Sequence, residues 1–490
     1  MSRKVIVVGL LIVALLALSG LVMGQGLPGS GWLSGQQILN AGTGPADIMF
    51  NAYDSVPNSY TCGTDIDVPV GASVNYITSN CDDPALPAGF VGSGVVSADQ
   101  PIKAMVNVTN EGTGTASGQY VGTDGADTSL NLSFPLMKND WVGRTSHFYI
   151  QNAGSVEATI TATAIDQDGV SYGPYVVKAM PNAMVVIEPT QVGVPTSKYG
   201  SLAVEGSELL AGSMLESETT TAVAENLNAS KGLSTNDYDT VVYCPMIRNG
   251  WGAEDFGTGL QVINVGGAAQ TIKVDYSYQV GSVAAPVQTK TVTTPSLDVG
   301  ESFNLLSSNA TWGLPDNSLG SATVTGASGD AAALVSDEGF STSSPYNVAT
   351  YTCFPKKSAS SKVYAPLYKQ DWIGDTSGIQ IQNVAGDGST ATVQLTYTVT
   401  GSNATGNAGD VVVLSNTGGI ADGASVAFFN ADQCGSASPA DCTVTSGVMS
   451  DLTKSYGGVV IESDKPIVVM INEVGFGSGL DSKLYEGFND

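Results

Sequence analysis

The sequence is short of charge, and shortest of positive charge. Charged residues fill 13% of its 490 positions, where about 25% is usual, so Ser, Thr, Asn, Gln and Gly must cover the surface. The 45 acidic residues outnumber the 18 basic ones and leave a formal net charge of −27. That charge repels nucleic acid and anionic membrane surfaces alike. Histidine is nearly absent, and the single His147 excludes any site that needs two, most zinc hydrolases among them. No Gly-x-Ser-x-Gly stands in a strand-turn-helix setting, and no phosphate-cradling glycine loop occurs. Carboxylates are plentiful enough for a two-carboxylate glycosidase by residue type alone. Such enzymes usually need one large domain, however, and the chain reads as a non-enzyme without a cofactor. Outside the N-terminal segment no long stretch has helical spacing, and no second long apolar run exists.

What the chain has is repetition. Trp32, Trp141, Trp251 and Trp372 lie 109, 110 and 121 residues apart, and each opens one pattern. The second copy has Trp141-Val-Gly-Arg-Thr-Ser and then Phe148-Tyr-Ile-Gln-Asn152-Ala-Gly154; the fourth has Trp372-Ile-Gly-Asp-Thr-Ser-Gly378 and then Ile379-Gln-Ile-Gln-Asn383. Near the end of a copy a second motif recurs, Gly92-Ser-Gly-Val-Val-Ser-Ala-Asp-Gln-Pro101-Ile in the first and Gly457-Gly-Val-Val-Ile-Glu-Ser-Asp-Lys-Pro466-Ile in the last. Two short apolar runs joined by a polar turn predict a hairpin. Between these motifs lies a third: Gly71-Ala-Ser, Gly300-Glu-Ser and Gly423-Ala-Ser. A period of this length is the size of a domain and predicts a string of beads.

The periodicity is that of strands. Ile272, Val274, Tyr276 and Tyr278 alternate with polar residues, as do Val393, Leu395, Tyr397 and Val399, so one face is apolar and the other polar. The expected fold is all-β: four tandem antiparallel β-sandwich, immunoglobulin-like domains after an N-terminal signal segment. The expected boundaries are 1–24 for the signal peptide or membrane anchor, then 25–125, 126–237, 238–355 and 356–490. Ser2-Arg3-Lys4 precede an uncharged run from Val5 to Met23, which predicts a secretory signal cleaved near Gly24 or Ser19, with an uncleaved anchor as the alternative.

The six cysteines fit an oxidising compartment. Cys62 and Cys81 are peculiar to the first copy, and Cys434 and Cys442 lie in the insertion that lengthens the fourth, so local pairs are expected. That leaves Cys244 and Cys353 to join the start of the third copy to its end. Five sequons, Asn107, Asn131, Asn228, Asn309 and Asn403, are glycosylation sites if the host modifies exported proteins and chance matches otherwise. Asp65-Ile-Asp67 and Asp166-Gln-Asp168-Gly169 offer hard oxygen ligands for calcium, though turn chemistry explains them more simply. The four tryptophans fit either core packing or sugar-stacking platforms. By alignment, His147 replaces Gly35, Gly259 and Gly378, so an ordinary strand residue is expected there.

Copies two to four are each led in by a strand with Pro six residues before the Trp: Phe134-Pro-Leu-Met-Lys, Cys244-Pro-Met-Ile-Arg and Ala365-Pro-Leu-Tyr-Lys. The first copy has Gln25-Gly-Leu-Pro-Gly-Ser-Gly instead, and at the other end Tyr485-Glu-Gly-Phe resembles the Tyr120-Val-Gly-Thr that leads into such a strand, which predicts that one terminus exposes an unpaired sheet edge for a neighbouring subunit to fill. Taken together, Ala-Pro-Leu-x-Lys-x-x-Trp-x-Gly-x-x-Ser-Gly-Ile-Gln-Ile-Gln-Asn and Gly-Gly-Val-Val-Ile-x-Ser-Asp-Lys-Pro-Ile resemble the tandem β-sandwich repeats of large exported surface proteins of bacteria and archaea. The resemblance implies an extracellular or cell-surface location and a structural or adhesive role, as in a surface layer or filament. It implies self-association or other surface proteins as partners, and names no ligand. The alternative is a secreted carbohydrate-binding protein, with glycans as partners and exposed aromatics along one face.

Overall fold

The computed structural model describes residues 17–19, 26–56, 58–81, 85–111, 116–218, 225–252, 255–339, 347–429, 434, 442–475 and 483–489. The bulk of the expected signal or anchor lies outside these. The fold is all-β, built from antiparallel sheets, and one strand order is drawn four times. The third repeat shows it plainly. One sheet runs Gln288–Thr293, Ile272–Val280, Ser318–Gly326, Val241–Asn249 and Phe354–Pro355; the other runs Ser302–Leu306, Phe256–Asn264, Ala331–Gly339 and Asn347–Thr352. The alternating residues Ile272, Val274, Tyr276 and Tyr278 all face inward, where they meet Leu260 and Val262 of the facing sheet in one apolar core.

Two sequence motifs acquire a geometric cause. Trp-x-Gly is a two-residue hairpin turn: Trp141 exchanges backbone hydrogen bonds with Arg144 at 3.0 and 3.1 Å. The two residues between them have positive φ, 49° at Val142 and 76° at Gly143. This is the primed-turn conformation whose twist suits flanking strands, and glycine adopts it without strain. The proline of each opening strand sits in a bulge, since the pairing slips between Phe134 and Met137, between Cys244 and Ile247, and between Ala365 and Tyr368. A bulge accommodates the missing N–H.

Two expectations are corrected. The Asp-x-Pro motif makes no hairpin: Ser93–Ala98 pairs in one sheet, Ile102–Asn110 in the other, and the two do not pair with each other. In the second and fourth repeats a single strand, Lys198–Glu218 or Ser455–Gly475, runs through both sheets. The aspartate explains the crossover, because Asp99 Oδ1 accepts from Asp47 N at 2.8 Å and Asp464 Oδ1 accepts from Thr392 N at 2.7 Å. A side chain thus supplies a bond to the outer sheet at the point where the chain leaves it.

Nor is the chain a string of beads. Each repeat has an edge strand, here called its inner strand: Ser117–Val121, Leu227–Lys231, Asn347–Thr352 and Lys483–Glu486. Each lies against the next, and the fourth lies against the first, so the repeats close into a ring. The approach is close: a Cβ placed on Gly118 would stand 2.9 Å from Ala229 Cβ. The rim closes in the same cyclic sense. Ser93 Oγ donates to the carbonyl of Asn182, Ser201 Oγ to Gly300 at 2.5 Å and Ser321 Oγ to Gly423 at 2.8 Å. In the fourth repeat the serine is Gly458, whose Cβ position lies 3.3 Å from the carbonyl of Gly71, and Ser73 Oγ donates to Pro366 O at 3.0 Å instead. The third sequence motif therefore supplies most of the ring's contact loops.

Candidate functional site

The least expected feature is a set of ion pairs between the sheets. Three residues beyond each opening-strand proline stands a cation, and a carboxylate is the seventh residue of the stretch that starts at Leu210, Ala331 or Ile467 in the other sheet. Lys138 Nζ lies 2.9 Å from Glu216 Oε1, Arg248 forks onto Asp337 with Nε to Oδ1 at 3.1 Å, and Lys369 Nζ lies 2.9 Å from Glu473 Oε2. Glu216, Asp337 and Glu473 are essentially without solvent exposure. Burial alone would raise Glu216, but Lys138 and then Arg144 outweigh it and hold its carboxyl below the ordinary range. Lys369 is pushed the other way, above its usual value, because Glu473 and Asp375 overcome the burial that would lower it. In the first repeat the corresponding positions are Gly29 and Val108, so both partners are missing together. A buried carboxylate left without its cation would cost about 3–5 kcal/mol.

Cation and carboxylate were readable in the repeat alignment, since Lys, Arg and Lys recur at one position. A reading of apolar periodicity gives no weight to such a polar recurrence.

The second feature is a cleft of about 410 Å³ between the second and third repeats. Its lining includes Trp141, Tyr199, Trp312, Gln261 and Asn304. Trp141 and Tyr199 are in contact, ring centroids 4.8 Å apart. Gln261 Nε2 donates to Ser302 Oγ at 2.9 Å, while Gln261 Oε1 and Asn304 Oδ1 have no hydrogen-bond partner among the described residues. The volume falls within the range of small-molecule sites, roughly 300–1,000 Å³.

The structure spreads the sequence-predicted residues widely. Trp32 is buried at 4% exposure, while Trp141, Trp251 and Trp372 are half-buried, so equal positions in sequence have unequal surroundings. His147 lies in the strand Arg144–Asn152, buried against Gly26 of the first repeat. Burial lowers its pKa against the opposing pull of Glu188. Asn131, Asn309 and Asn403 are exposed, Asn107 is half-buried, and Asn228 is fully buried. A transferase cannot reach Asn228 in the closed ring. Asp166 is spent on turn and rim contacts, accepting from Asp168 N, Val170 N and Tyr172 Oη at 2.9–3.0 Å and pairing with Lys198 at 2.9 Å. The other acidic pair lies apart from it, with Asp67 N donating to Asp47 Oδ1 at 3.0 Å. Disulfides join Cys62 to Cys81, Cys244 to Cys353 and Cys434 to Cys442.

The expected open edge of the first repeat is occupied. Ala17–Ser19 pairs with Ser93–Ala98 on one side and Thr123–Asp124 on the other, the place held elsewhere by Ser129–Asn139, Val241–Asn249 and Ser360–Gln370. The sheet is complete only while that piece of the N-terminal segment stays.

No family model and no curated protein matches the chain. Among solved structures it is similar to Thermotoga maritima 1070, at 18% identity and a TM-score of 0.19 over 22% of this chain and 94% of that one. It is similar to the Anabaena sensory rhodopsin transducer at 13% identity and a TM-score of 0.15, over 17% and 89% of the two chains. A third likeness, to a tetra-tandem repeat in the extending region of a large adhesion protein, has 13% identity and a TM-score of 0.10 over 97% and 99% of the two chains.

Proposed function

We propose that the chain is an exported cell-surface protein with a structural or adhesive role, in which the four repeats act as one ring-shaped body. The observation that carries this reading is the set of three disulfides, spread over the first, third and fourth repeats, which need an oxidising compartment to form and persist. Two further features support it. The buried charges of the second to fourth repeats are spent on one another, as a scaffold requires. The N-terminal segment holds the first repeat's sheet, so its removal would open an edge for self-association with a second copy.

The test is immunogold labelling of intact cells with antibody against the folded ring, joined to negative-stain microscopy of the natively secreted protein with and without calcium. Surface label is expected. Filaments or layers after removal of residues 1–24, and compact particles before it, would support the assembly role. Label confined to the cell interior would overturn export.

A second reading, a carbohydrate-binding protein, is favoured by the cleft. Trp141, Tyr199 and Trp312 suit the C–H faces of sugar rings. Tryptophan fluorescence titrated with neutral oligosaccharides tests it. A response lost in Trp312→Ala supports the cleft, and a response that survives that change places sugar binding elsewhere.

A further inference from the structure

An opening strand and an inner strand lie in different sheets, and the repeats fasten the two differently. The third repeat ties them covalently by a disulfide from Cys244, on the opening strand, to Cys353, the residue that follows its inner strand. It adds a clasp in which Tyr351 Oη donates to Met246 O at 2.7 Å and accepts from Met246 N at 3.1 Å. The fourth has the clasp alone, with Tyr485 Oη donating to Leu367 O and accepting from Leu367 N at 3.2 Å. The second has neither, because Phe134 and Gly232 stand at the cysteine positions and Ser230 at the tyrosine position. What it has is an amine and a carboxamide on one carboxylate. Lys138, on the opening strand, places Nζ 2.9 Å from Glu216 Oε1, and Asn228, on the inner strand, donates Nδ2 to the same oxygen at 2.9 Å. Glu216 and Asn228 are 0% exposed and Lys138 is 7% exposed. Asn228 Oδ1 and Glu216 Oε2 have no hydrogen-bond partner among the described residues.

We propose that Lys138 and Asn228 are joined by an isopeptide bond that forms once the second repeat has folded. Glu216 starts ionised and takes a proton from the Lys138 ammonium. The freed amine attacks Asn228 Cγ, forming the new C–N bond, while the Glu216 carboxylic acid, placed against Asn228 Nδ2, donates its proton to that departing nitrogen. Collapse breaks the Cγ–Nδ2 bond, and the nitrogen leaves as ammonium, taking the proton that Glu216 held and the one lost from the attacking amine, so that Glu216 ends as a carboxylate. No electron is transferred and no co-reactant is needed. The product is a secondary amide between the sheets, fastening the same two strands that the third repeat joins through sulfur. No other repeat can form it, since the corresponding pairs are Gly29 with Gly118, Arg248 with Ala349 and Lys369 with Lys483.

Mass spectrometry of the full folded chain tests this. Ammonia loss lowers the mass by about 17 Da, but cyclisation of Gln25, if it becomes the N-terminus, removes the same mass, so the bond must be located in a digest. Trypsin cannot cut after an acylated Lys138, and a branched peptide carrying residues 138 and 228 is expected. Lys138→Arg keeps the charge without a nucleophilic amine and should yield only linear peptides, as should Glu216→Gln. Cleavage after Lys138 and an intact Asn228 in the folded wild-type protein would overturn the proposal, whatever the variants do.

Discussion

Two junctions of the ring are built from the same positions and finished differently. Between the first and second repeats, Leu27, Trp32, Val108, Tyr149 and Leu215 pack into one apolar cluster. The void beside it, lined by Tyr120, Tyr149 and Ser213, holds about 10 Å³. Between the second and third, Leu136 and Trp141 occupy the places of Leu27 and Trp32, yet the junction keeps its cleft of about 410 Å³ and its buried ion pair. One substitution bears on the difference. His147 fills the first junction where Gly259 leaves the second open, and the segment that carries Gly26 and Leu27 lies against it. One fold therefore supports a sealed apolar joint and an open polar one, and the choice rests on a few side chains.

Charge is the sharpest way to break the sealed joint. Val108→Glu would give the first repeat its missing carboxylate without a cation, and a stranded buried charge should cost about 5 kcal/mol, read as a lower urea midpoint. A cost below about 1 kcal/mol would mean that the joint opens to water. The tryptophans come next. Trp32→Ala should destabilise by about 3–4 kcal/mol, while the same change at half-exposed Trp141 should cost about 1 kcal/mol; equal losses in thermal unfolding would erase the distinction between the joints.

The sealed joint should also be the one that responds to mild acid. Burial lowers the pKa of His147, so the unfolded chain binds its proton more readily than the folded one. Its contribution is complete above the ordinary histidine value of about 6.5 and is lost as pH falls through the folded value. Between pH 7.5 and 5.5 the wild type should lose more stability than His147→Gly, the residue the other repeats carry, and parallel profiles would show that His147 titrates as if unfolded.

Much of the sheet architecture was legible because strand burial has a short period. The alternation of Ile272 to Tyr278 and of Val393 to Val399 marks inward faces without reference to anything distant. The Trp-x-Gly motif marked the repeat without being read as a turn, although its conformation is set by adjacent residues. Ring closure was not visible, because it depends on four inner strands from separate repeats, and Gly118, Ala229 and Thr350 carry no pattern of their own. The Asp-x-Pro motif misled in an instructive way: a polar turn between apolar runs looks the same whether the chain reverses in one sheet or crosses to another. Of the candidate site, Trp141 was recognised. Gln261, Asn304 and Trp312 gain meaning only when the third repeat is set beside the second.

The gentlest change goes the other way, toward sealing the open joint. A Cβ built on Gly259 meets Asn304 Oδ1 at 3.5 Å and Leu306 Cδ2 at 3.6 Å, ordinary contacts, so a side chain fits without moving the backbone. Gly259→His copies the residue of the first joint into the second. The imidazole would enter the cleft, where it can donate to Gln261 Oε1 or Asn304 Oδ1, and its burial would offset the entropy of fixing it. Stability should then change by no more than about 1 kcal/mol, and Trp312 should become less accessible to a neutral quencher such as acrylamide. A large loss of stability would mean that glycine is required there for the backbone. Unchanged quenching would mean that the cleft is wider in solution than a histidine can fill.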